Sequence, residues 1–210
     1  MKTDLNQFKA FIFDLDGTLI NSEKYHADGF ARAVETVSGY QLTEEERREF
    51  FEGHTSTFTP VLADRHGLDL DPMEVLKHKR EHVRKYFKTD VFPQAIPFIK
   101  KWRSRKRLAL ASNSPKSFVR DALVNGRMID LFEEVCTADD VSQRKPAPEM
   151  YLLMLERLGL EPSEVLVFED SPAGVSAAQA ANCPVIMVEN GANRSVDGVE
   201  KYTWKELSRF

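Results

Sequence analysis

The chain has 210 residues, 42% of them apolar and 30% charged, which suits one compact domain with room for a smaller insert. A formal net charge of −4 argues against a nucleic-acid-binding protein, which usually carries a basic excess. Apolar runs fall far short of a membrane span, and the N-terminus lacks the apolar core of a secretion signal. Cys136 and Cys183 match no metal or redox spacing. We therefore expect reduced thiols, a cytoplasmic location, and neither a nucleic-acid nor a membrane partner.

Five short apolar runs predict β-strands, and helical patterns separate the later ones. The strands are predicted at 10–13, 108–111, 135–137, 165–168 and 185–188, and the helices at 115–124, 148–158 and 172–181. Strands that alternate with helices predict a parallel sheet covered by helices on both faces. The predicted class is α/β with a Rossmann-like parallel sheet.

The segment from about residue 20 to residue 90 has a different pattern. It is rich in charged residues, and its apolar residues recur at helical spacing, as at Phe30, Val34 and Val37. Pro60, Gly67 and other breakers divide it into several predicted helices. We expect a helical insert directly after the first strand.

The first predicted strand ends in two aspartates, within Asp14-Leu15-Asp16-Gly17-Thr18. Residues two apart in an extended chain point to the same side, and Gly17 permits a sharp turn just after them. Carboxylates this close repel unless a cation lies between them or one keeps a proton. A nucleophile beside a general acid or base needs such a pair, and we favour that interpretation over an Asx turn with solvated acids.

Two later segments carry polar side chains suited to a phosphate. Ser112 and Asn113 follow the second strand, where Ser114 and Pro115 are predicted as the N-cap and first residue of a helix. Free N–H groups at a helix start suit a phosphate, although ordinary capping explains this pattern equally well. Lys145 lies on a stiff Pro-containing loop and could neutralise a phosphate oxygen; the alternative is a surface lysine.

Consecutive acids, Glu169 and Asp170, end the fourth predicted strand after a run of apolar residues. Such acids are costly unless they serve a cation, and oxygen-only ligands at a phosphate site point to Mg²⁺. Ligands of open α/β sheets bind at the carboxyl ends of the strands, so these strand-end side chains should converge. The acids and a phosphate dianion would outweigh the charge of Mg²⁺ and Lys145, so we expect Asp16 to be protonated during phosphate capture.

Four ordered motifs give the chain a resemblance to the haloacid dehalogenase superfamily of phosphohydrolases. They are FDLDGTL at 13–19, LASNSP at 110–115, KPAP at 145–148 and VFEDSPAGVSAAQAA at 167–181. The chain looks like the branch with a helical cap after the first strand, which includes phosphoglycolate phosphatases, sugar-phosphate phosphatases and β-phosphoglucomutases. The resemblance implies a catalytic core of residues 1–19 and 91–210 and a cap of residues 20–90.

The resemblance also implies a role for each matching residue. Asp14 would attack phosphorus to form an aspartyl-phosphate, and Asp16 would protonate the leaving group and then activate water. Ser112, Asn113 and Lys145 would hold the phosphoryl oxygens. The Mg²⁺ ligands would be the Asp14 carboxylate, the Asp16 carbonyl and Asp170, with Glu169 nearby or linked through water.

The cap should select the substrate, and we expect His26, Gly53, His54 and Ser56 to approach it. The mutases resemble this stretch but carry a Lys before the Gly and an Arg three residues after it, where this chain has Glu52 and Ser56. We therefore predict a phosphatase of a small phosphorylated metabolite that is a monomer or a weak homo-oligomer. A β-phosphoglucomutase-like phosphoryl transfer and a non-catalytic binding protein of the same fold are the alternatives.

Overall fold

The computed structural model describes residues 3–51, 55–191 and 194–210, without the side chains of residues 50 and 51. The chain divides into two units, one formed by Met1–Asn21 with Thr89–Phe210 and one by Ser22–Lys88. The second unit is inserted between the first two strands of the sheet. Its boundaries lie two residues from those predicted for the cap, and its role as a cap stays a prediction.

The helices and strands are numbered in chain order. The helices are α1 (Glu23–Ser38), α2 (Glu44–Phe51), α3 (Thr55–His66), α4 (Pro72–Tyr86), α5 (Ala95–Arg103), α6 (Lys116–Asn125), α7 (Glu149–Leu158), α8 (Pro172–Ala180) and α9 (Trp204–Leu207). The strands are β1 (Ala10–Phe13), β2 (Arg107–Ala111), β3 (Glu134–Cys136), β4 (Val165–Glu169), β5 (Val185–Glu189) and β6 (Lys201–Thr203).

Within the described residues the strands form one parallel sheet in the order β3-β2-β1-β4-β5-β6. β1 lies between β2 and β4, and the order reverses direction there, which is where open α/β sheets bind their ligands. The five predicted strands are present with ends shifted by at most one residue. β6 was not predicted, because Lys-Tyr-Thr is too short and too polar to form an apolar run.

β1 is apolar throughout, and β2 and β4 are apolar except for Arg107 and Glu169 at their ends, because helices cover both faces of the sheet. Alternate residues point to opposite faces, so Ala10 and Ile12 join one apolar cluster with the α7 and α8 side chains. On the other face, Phe11 and Phe13 pack in a cluster of aromatic rings that also includes Phe98, Trp102, Phe168 and Trp204. The sheet is thereby a buried, well-packed platform for the loops at its edge.

The inserted unit has a separate apolar core. Phe30 and Val34 of α1 are buried with Phe58 and Leu62 of α3, and Phe30 packs against Phe58 with ring centroids 5.7 Å apart. Gly29 lets α1 approach α4 closely, since a Cβ at this position would press against Val83. The predicted helical insert is therefore present as four helices, with residues 52–54 outside the description.

None of the helices in the described part of the chain is both long and apolar enough to cross a lipid bilayer.

Candidate active site

The carboxyl ends of β1, β2 and β4 meet at one edge of the sheet. Phe13 of β1 is in register with Leu110 of β2 and Phe168 of β4, so the chains leave the three strands close to one another. The backbone N–H of Asp14 donates to the carbonyl of Phe168 at 2.9 Å, which extends the pairing past the end of β1. Polar residues that follow these strands are thus brought to one place.

Lys145 lies on the loop between β3 and α7, and its ammonium group is buried among acids. Nζ donates to Asp14 Oδ1 at 2.8 Å, to Glu169 Oε1 at 2.6 Å and to the carbonyl of Ala111 at 2.8 Å. These bonds use all three donors of an ammonium group. Burial alone would lower the pKa of Lys145, but Asp14 and Glu169 outweigh it and raise that pKa well above its usual value. Lys145 is therefore a fixed cation of the site, with a side chain 3% exposed.

Asn113 holds the backbone of the Lys145 loop. Its Oδ1 accepts from the backbone N–H of Lys145 at 3.0 Å, and its Nδ2 donates to the carbonyl of the same residue at 3.2 Å. Both polar ends of the Asn113 side chain are thus bonded to the protein. Its predicted contact with a phosphoryl oxygen stays a prediction, and the structure adds a second role, which is to fix Lys145.

Glu169 accepts hydrogen bonds on both carboxylate oxygens. Oε1 accepts from Lys145 Nζ and from the hydroxyl of Tyr151 at 2.6 Å, and Oε2 accepts from Asp170 N and Ser171 Oγ, both at 3.2 Å. Burial and the charge of Glu169 raise the pKa of Tyr151 well above its usual value, so its hydroxyl remains a donor. Glu169 therefore orients Lys145 with the help of a buried tyrosine.

Asp170 is buried and has a basic partner. Arg194 Nη1 donates to Asp170 Oδ2 at 2.9 Å, and Asn190 Nδ2 donates to the same oxygen at 3.1 Å. Asn190 Nδ2 also donates to the carbonyl of Gly17 at 2.8 Å, and Thr18 Oγ1 lies 3.5 Å from Asp170 Oδ1. Asp170 is thereby tied to the turn that follows Asp16.

Asp16 lies beside the serines that follow β2. Its Oδ2 accepts from Ser114 Oγ at 2.7 Å and lies 3.4 Å from Ser112 Oγ. The prediction that Ser114 is the N-cap of a helix beginning at Pro115 is wrong, because α6 begins at Lys116 with Pro115 at the cap position. The hydroxyl of Ser114 bonds to a carboxylate of the site instead. At the end of β4, by contrast, Ser171 is the N-cap of α8, since its Oγ accepts from the N–H of Gly174.

The environment of Asp14 opposes its ionisation. Burial raises the pKa of Asp14 well above its usual range, Lys145 lowers it, and the neighbouring acids Glu169, Asp170 and Asp16 raise it further. The net effect is a carboxyl group that requires more positive charge nearby than Lys145 supplies. A divalent cation would provide that charge.

The residues present fit such a cation. Within the described ranges, one group of acids has ligand atoms close enough to share an ion: atoms of Asp14, Glu169 and Asp170 lie within 4.8 Å of one another. Two glycines make room for these acids, since a Cβ at Gly17 would overlap the Asp170 carboxylate and one at Gly174 would overlap that of Glu169. An all-oxygen set of buried carboxylates suits Mg²⁺. The Asp16 carboxylate is not part of this group, and the predicted ligation by the Asp16 backbone carbonyl stays a prediction.

The predicted cap residues lie in the other unit. His26 is on α1 and Ser56 is on α3. Gly53 and His54 lie outside the described residues. The approach of these four residues to a substrate stays a prediction.

Four site residues were not assigned to this site from the sequence. Ser114 was interpreted as a cap, and Tyr151 lies among the apolar residues of α7, where a buried aromatic is typical of core packing. Asn190 and Arg194 follow β5 in a segment without a motif. The position of Asn190 at the carboxyl end of a strand was the one available signal for that residue.

The comparisons with known proteins agree with this fold. The family model described as haloacid dehalogenase-like hydrolase matches residues 11–188, which include all four motifs. The chain belongs to this family.

Two curated relatives are similar over most of their length. One is fructose-1-phosphate phosphatase YqaB of Escherichia coli, 29% identical over 87% of this chain and 97% of the relative. The other is a phosphorylated carbohydrates phosphatase of Thermotoga maritima, 34% identical over 82% of this chain and 81% of the relative. A crystal structure of a predicted phosphoglycolate phosphatase from Haemophilus somnus has a TM-score of 0.83 at 21% identity and covers 98% of this chain and 99% of its own.

These findings confirm three predictions made from the sequence. The family is the haloacid dehalogenase-like hydrolases, the fold is an α/β parallel sheet with helices, and the enzyme class is a hydrolase of phosphoric monoesters.

Proposed function

We propose that this protein is a Mg²⁺-dependent phosphatase that hydrolyses a small phosphorylated metabolite through an aspartyl-phosphate on Asp14. One observation carries the proposal: a buried lysine lies 2.8 Å from Asp14, beside Glu169 and Asp170, at the ligand-binding edge of the sheet. Burying this many charges is costly, and a structural ion pair does not require two further acids. The cluster is suited to handling a dianionic phosphoryl group with a divalent cation.

Asp14 and Asp170 would hold the metal, and Glu169 would contribute its charge beside it. When bound there, Mg²⁺ supplies positive charge that favours an ionised Asp14 and offsets the charge on the phosphoryl oxygens. Lys145 would bind one phosphoryl oxygen, and Ser112 and Asn113 would bind others at the end of β2. Because all three Nζ donors of Lys145 are bonded to the protein, Lys145 would exchange one of these bonds for the phosphoryl oxygen.

Asp14 would act as the nucleophile and Asp16 as the acid and base. In the first step an Asp14 oxygen attacks phosphorus, the bond from phosphorus to the leaving oxygen breaks, and Asp16 gives its proton to that oxygen. In the second step Asp16 takes a proton from a water molecule whose oxygen attacks phosphorus. The bond between phosphorus and Asp14 then breaks, which releases inorganic phosphate and restores both carboxyl groups. Ser114 supports Asp16 by donating to Oδ2.

A sugar phosphate is the substrate class that we propose. The Escherichia coli relative is named for fructose 1-phosphate and the Thermotoga maritima relative for phosphorylated carbohydrates. We also propose that the inserted unit acts as the cap and that His26, Gly53, His54 and Ser56 contribute to selection of the leaving group. With Glu52 and Ser56 in place of two cations, the cap is poorly suited to a second phosphate.

The test is phosphate release from a panel of sugar phosphates, phosphoglycolate and nucleotides, measured with Mg²⁺ and with a chelator. We expect sugar phosphates to be the best substrates, and we expect release to fall to background when the metal is removed. Conversion of β-glucose 1-phosphate to glucose 6-phosphate without phosphate release would replace this proposal with the mutase alternative. Phosphate release that persists at full rate in chelator would contradict the metal requirement.

A further inference from the structure

Arg194 places a second cation on the acid cluster. Its guanidinium bonds to Asp170 Oδ2 at 2.9 Å, and its side chain is 21% exposed whereas that of Asp170 is 4% exposed. Asp170 is also one of the acids whose ligand atoms lie close enough to share a cation. A guanidinium and a divalent cation would therefore meet at the same carboxylate.

The charge of the cluster explains why a cation is favourable there before any metal binds. Asp14, Asp16, Glu169 and Asp170 form part of the site, and Lys145 is bonded to Asp14 and Glu169 rather than to Asp170. Arg194 supplies the positive charge at the Asp170 end. A buried carboxylate without such a partner is strongly destabilising, so Arg194 should stabilise the metal-free protein.

The position of Asp170 has a neutral support as well. Asn190 Nδ2 bridges Asp170 Oδ2 and the carbonyl of Gly17, at 3.1 and 2.8 Å. Asp170 can therefore keep its place when the guanidinium is absent. Asn190 and Arg194 therefore have different roles at Asp170: Asn190 orients the carboxylate, and Arg194 neutralises its charge.

We propose that Arg194 is a built-in counter-cation that competes with the divalent metal for Asp170. This inference rests on the metal site of the proposed function. Arg194 repels an approaching dication and loses its ion pair when the dication binds, so it weakens metal affinity while it protects the metal-free cluster. The protein would then need a higher Mg²⁺ concentration to be loaded than its acids alone would require.

Calorimetric titration with MgCl₂, without substrate, tests the inference. Arg194→Gln should bind Mg²⁺ about tenfold more tightly than the unsubstituted protein, a typical size for coupling between two sites. Arg194→Lys keeps the charge and should remain close to the unsubstituted protein. Arg157→Gln is the matched control, because Arg157 pairs with Asp140 at 3.1 Å in the same unit and should leave Mg²⁺ affinity unchanged.

Thermal unfolding of the same proteins gives an independent readout. Without metal, Arg194→Gln should melt at a lower temperature than the unsubstituted protein, and saturating Mg²⁺ should remove that difference, because metal binding stabilises the variant more.

Equal or weaker Mg²⁺ binding by Arg194→Gln would overturn the inference and leave the proposed function intact. If Arg194→Lys behaves like Arg194→Gln, charge is not the cause and the inference also fails. If the unsubstituted protein neither binds Mg²⁺ nor is stabilised by it, the metal site of the proposed function fails with it.

Discussion

Asp14→Asn is expected to lower phosphate release by at least about 10³-fold, because removal of a catalytic nucleophile costs that much or more. The amide is a poor nucleophile and carries no charge, yet it has nearly the same shape as the carboxylate. It can still accept the hydrogen bond from Lys145. The loss should therefore appear in kcat, measured on the best substrate of the panel at saturating Mg²⁺, with the folded structure retained.

A matched control is Asp121→Asn, which makes the same chemical change on the exposed surface of α6 in the same unit. That variant should keep full activity and an unchanged melting temperature. Residual activity of Asp14→Asn within tenfold of the unsubstituted protein would remove Asp14 from the role of nucleophile. A loss shared by Asp121→Asn would show that the assay reports stability rather than chemistry.

Lys145→Met should destabilise the protein as well as inactivate it. The substitution leaves Asp14 and Glu169 buried without the cation that bonds to both, and breaking a buried ion pair on one side costs about 3–5 kcal/mol. Denaturant unfolding in the absence of metal should show this decrease in the free energy of unfolding. Saturating Mg²⁺ should restore part of it, because a cation that binds only the folded acid cluster shifts the equilibrium towards folding.

Lys116→Met is the control for this experiment, since Lys116 lies in the same unit and its side chain is exposed at the start of α6. It should change the free energy of unfolding by no more than about 0.5 kcal/mol. A Lys145→Met variant as stable as Lys116→Met would mean that the acids of the site are protonated and neutral in the resting protein. The assignment of Lys145 as the fixed cation of the site would then be wrong.

The sheet could be predicted from the sequence because its central strands are buried on both faces. Burial of that kind leaves continuous apolar runs such as Ala10–Phe13 and Val165–Phe168, which need no knowledge of their neighbours to be recognised. β6 could not be predicted in this way, because Lys-Tyr-Thr contains no apolar run, whereas the equally short edge strand β3 contains Val135 and Cys136. The sequence alone therefore identifies those strands whose burial on both faces requires an unbroken run of apolar residues.

Side chains at the strand ends could be predicted for a related reason. Parallel strands end at one edge, so Asp14, Ser112 and Asp170 had to come close to one another once the sheet was assigned. Arg194 could not be placed, because its distance from Asp170 depends on the path of the chain after β5. The role of Tyr151 could not be predicted either. A tyrosine whose hydroxyl bonds to a buried glutamate has the same spacing along a helix as a tyrosine that only packs in the core.

Ser114 does not follow the sequence rule that predicts helix N-caps. A serine before a proline at the end of a strand is typical of a helix cap, and the same rule is correct for Ser171. Ser114 instead donates to Asp16, which offers a charged acceptor at 2.7 Å. α6 begins one residue later than this rule predicts, at Lys116, with Pro115 at the cap position.

Direct detection of a phosphoryl group on Asp14 is the measurement that tests the central claim most directly. The Asp16→Asn variant is incubated with Mg²⁺ and an aryl phosphate, whose leaving group needs no protonation, then quenched in acid, digested and analysed by mass spectrometry. We expect the phosphoryl group on the peptide that contains Asp14, because the variant cannot activate water for the second step. The variant that also carries Asp14→Asn should stay unlabelled. Release of phosphate by Asp16→Asn with no label on Asp14, or with the label on another residue, would contradict the proposed mechanism.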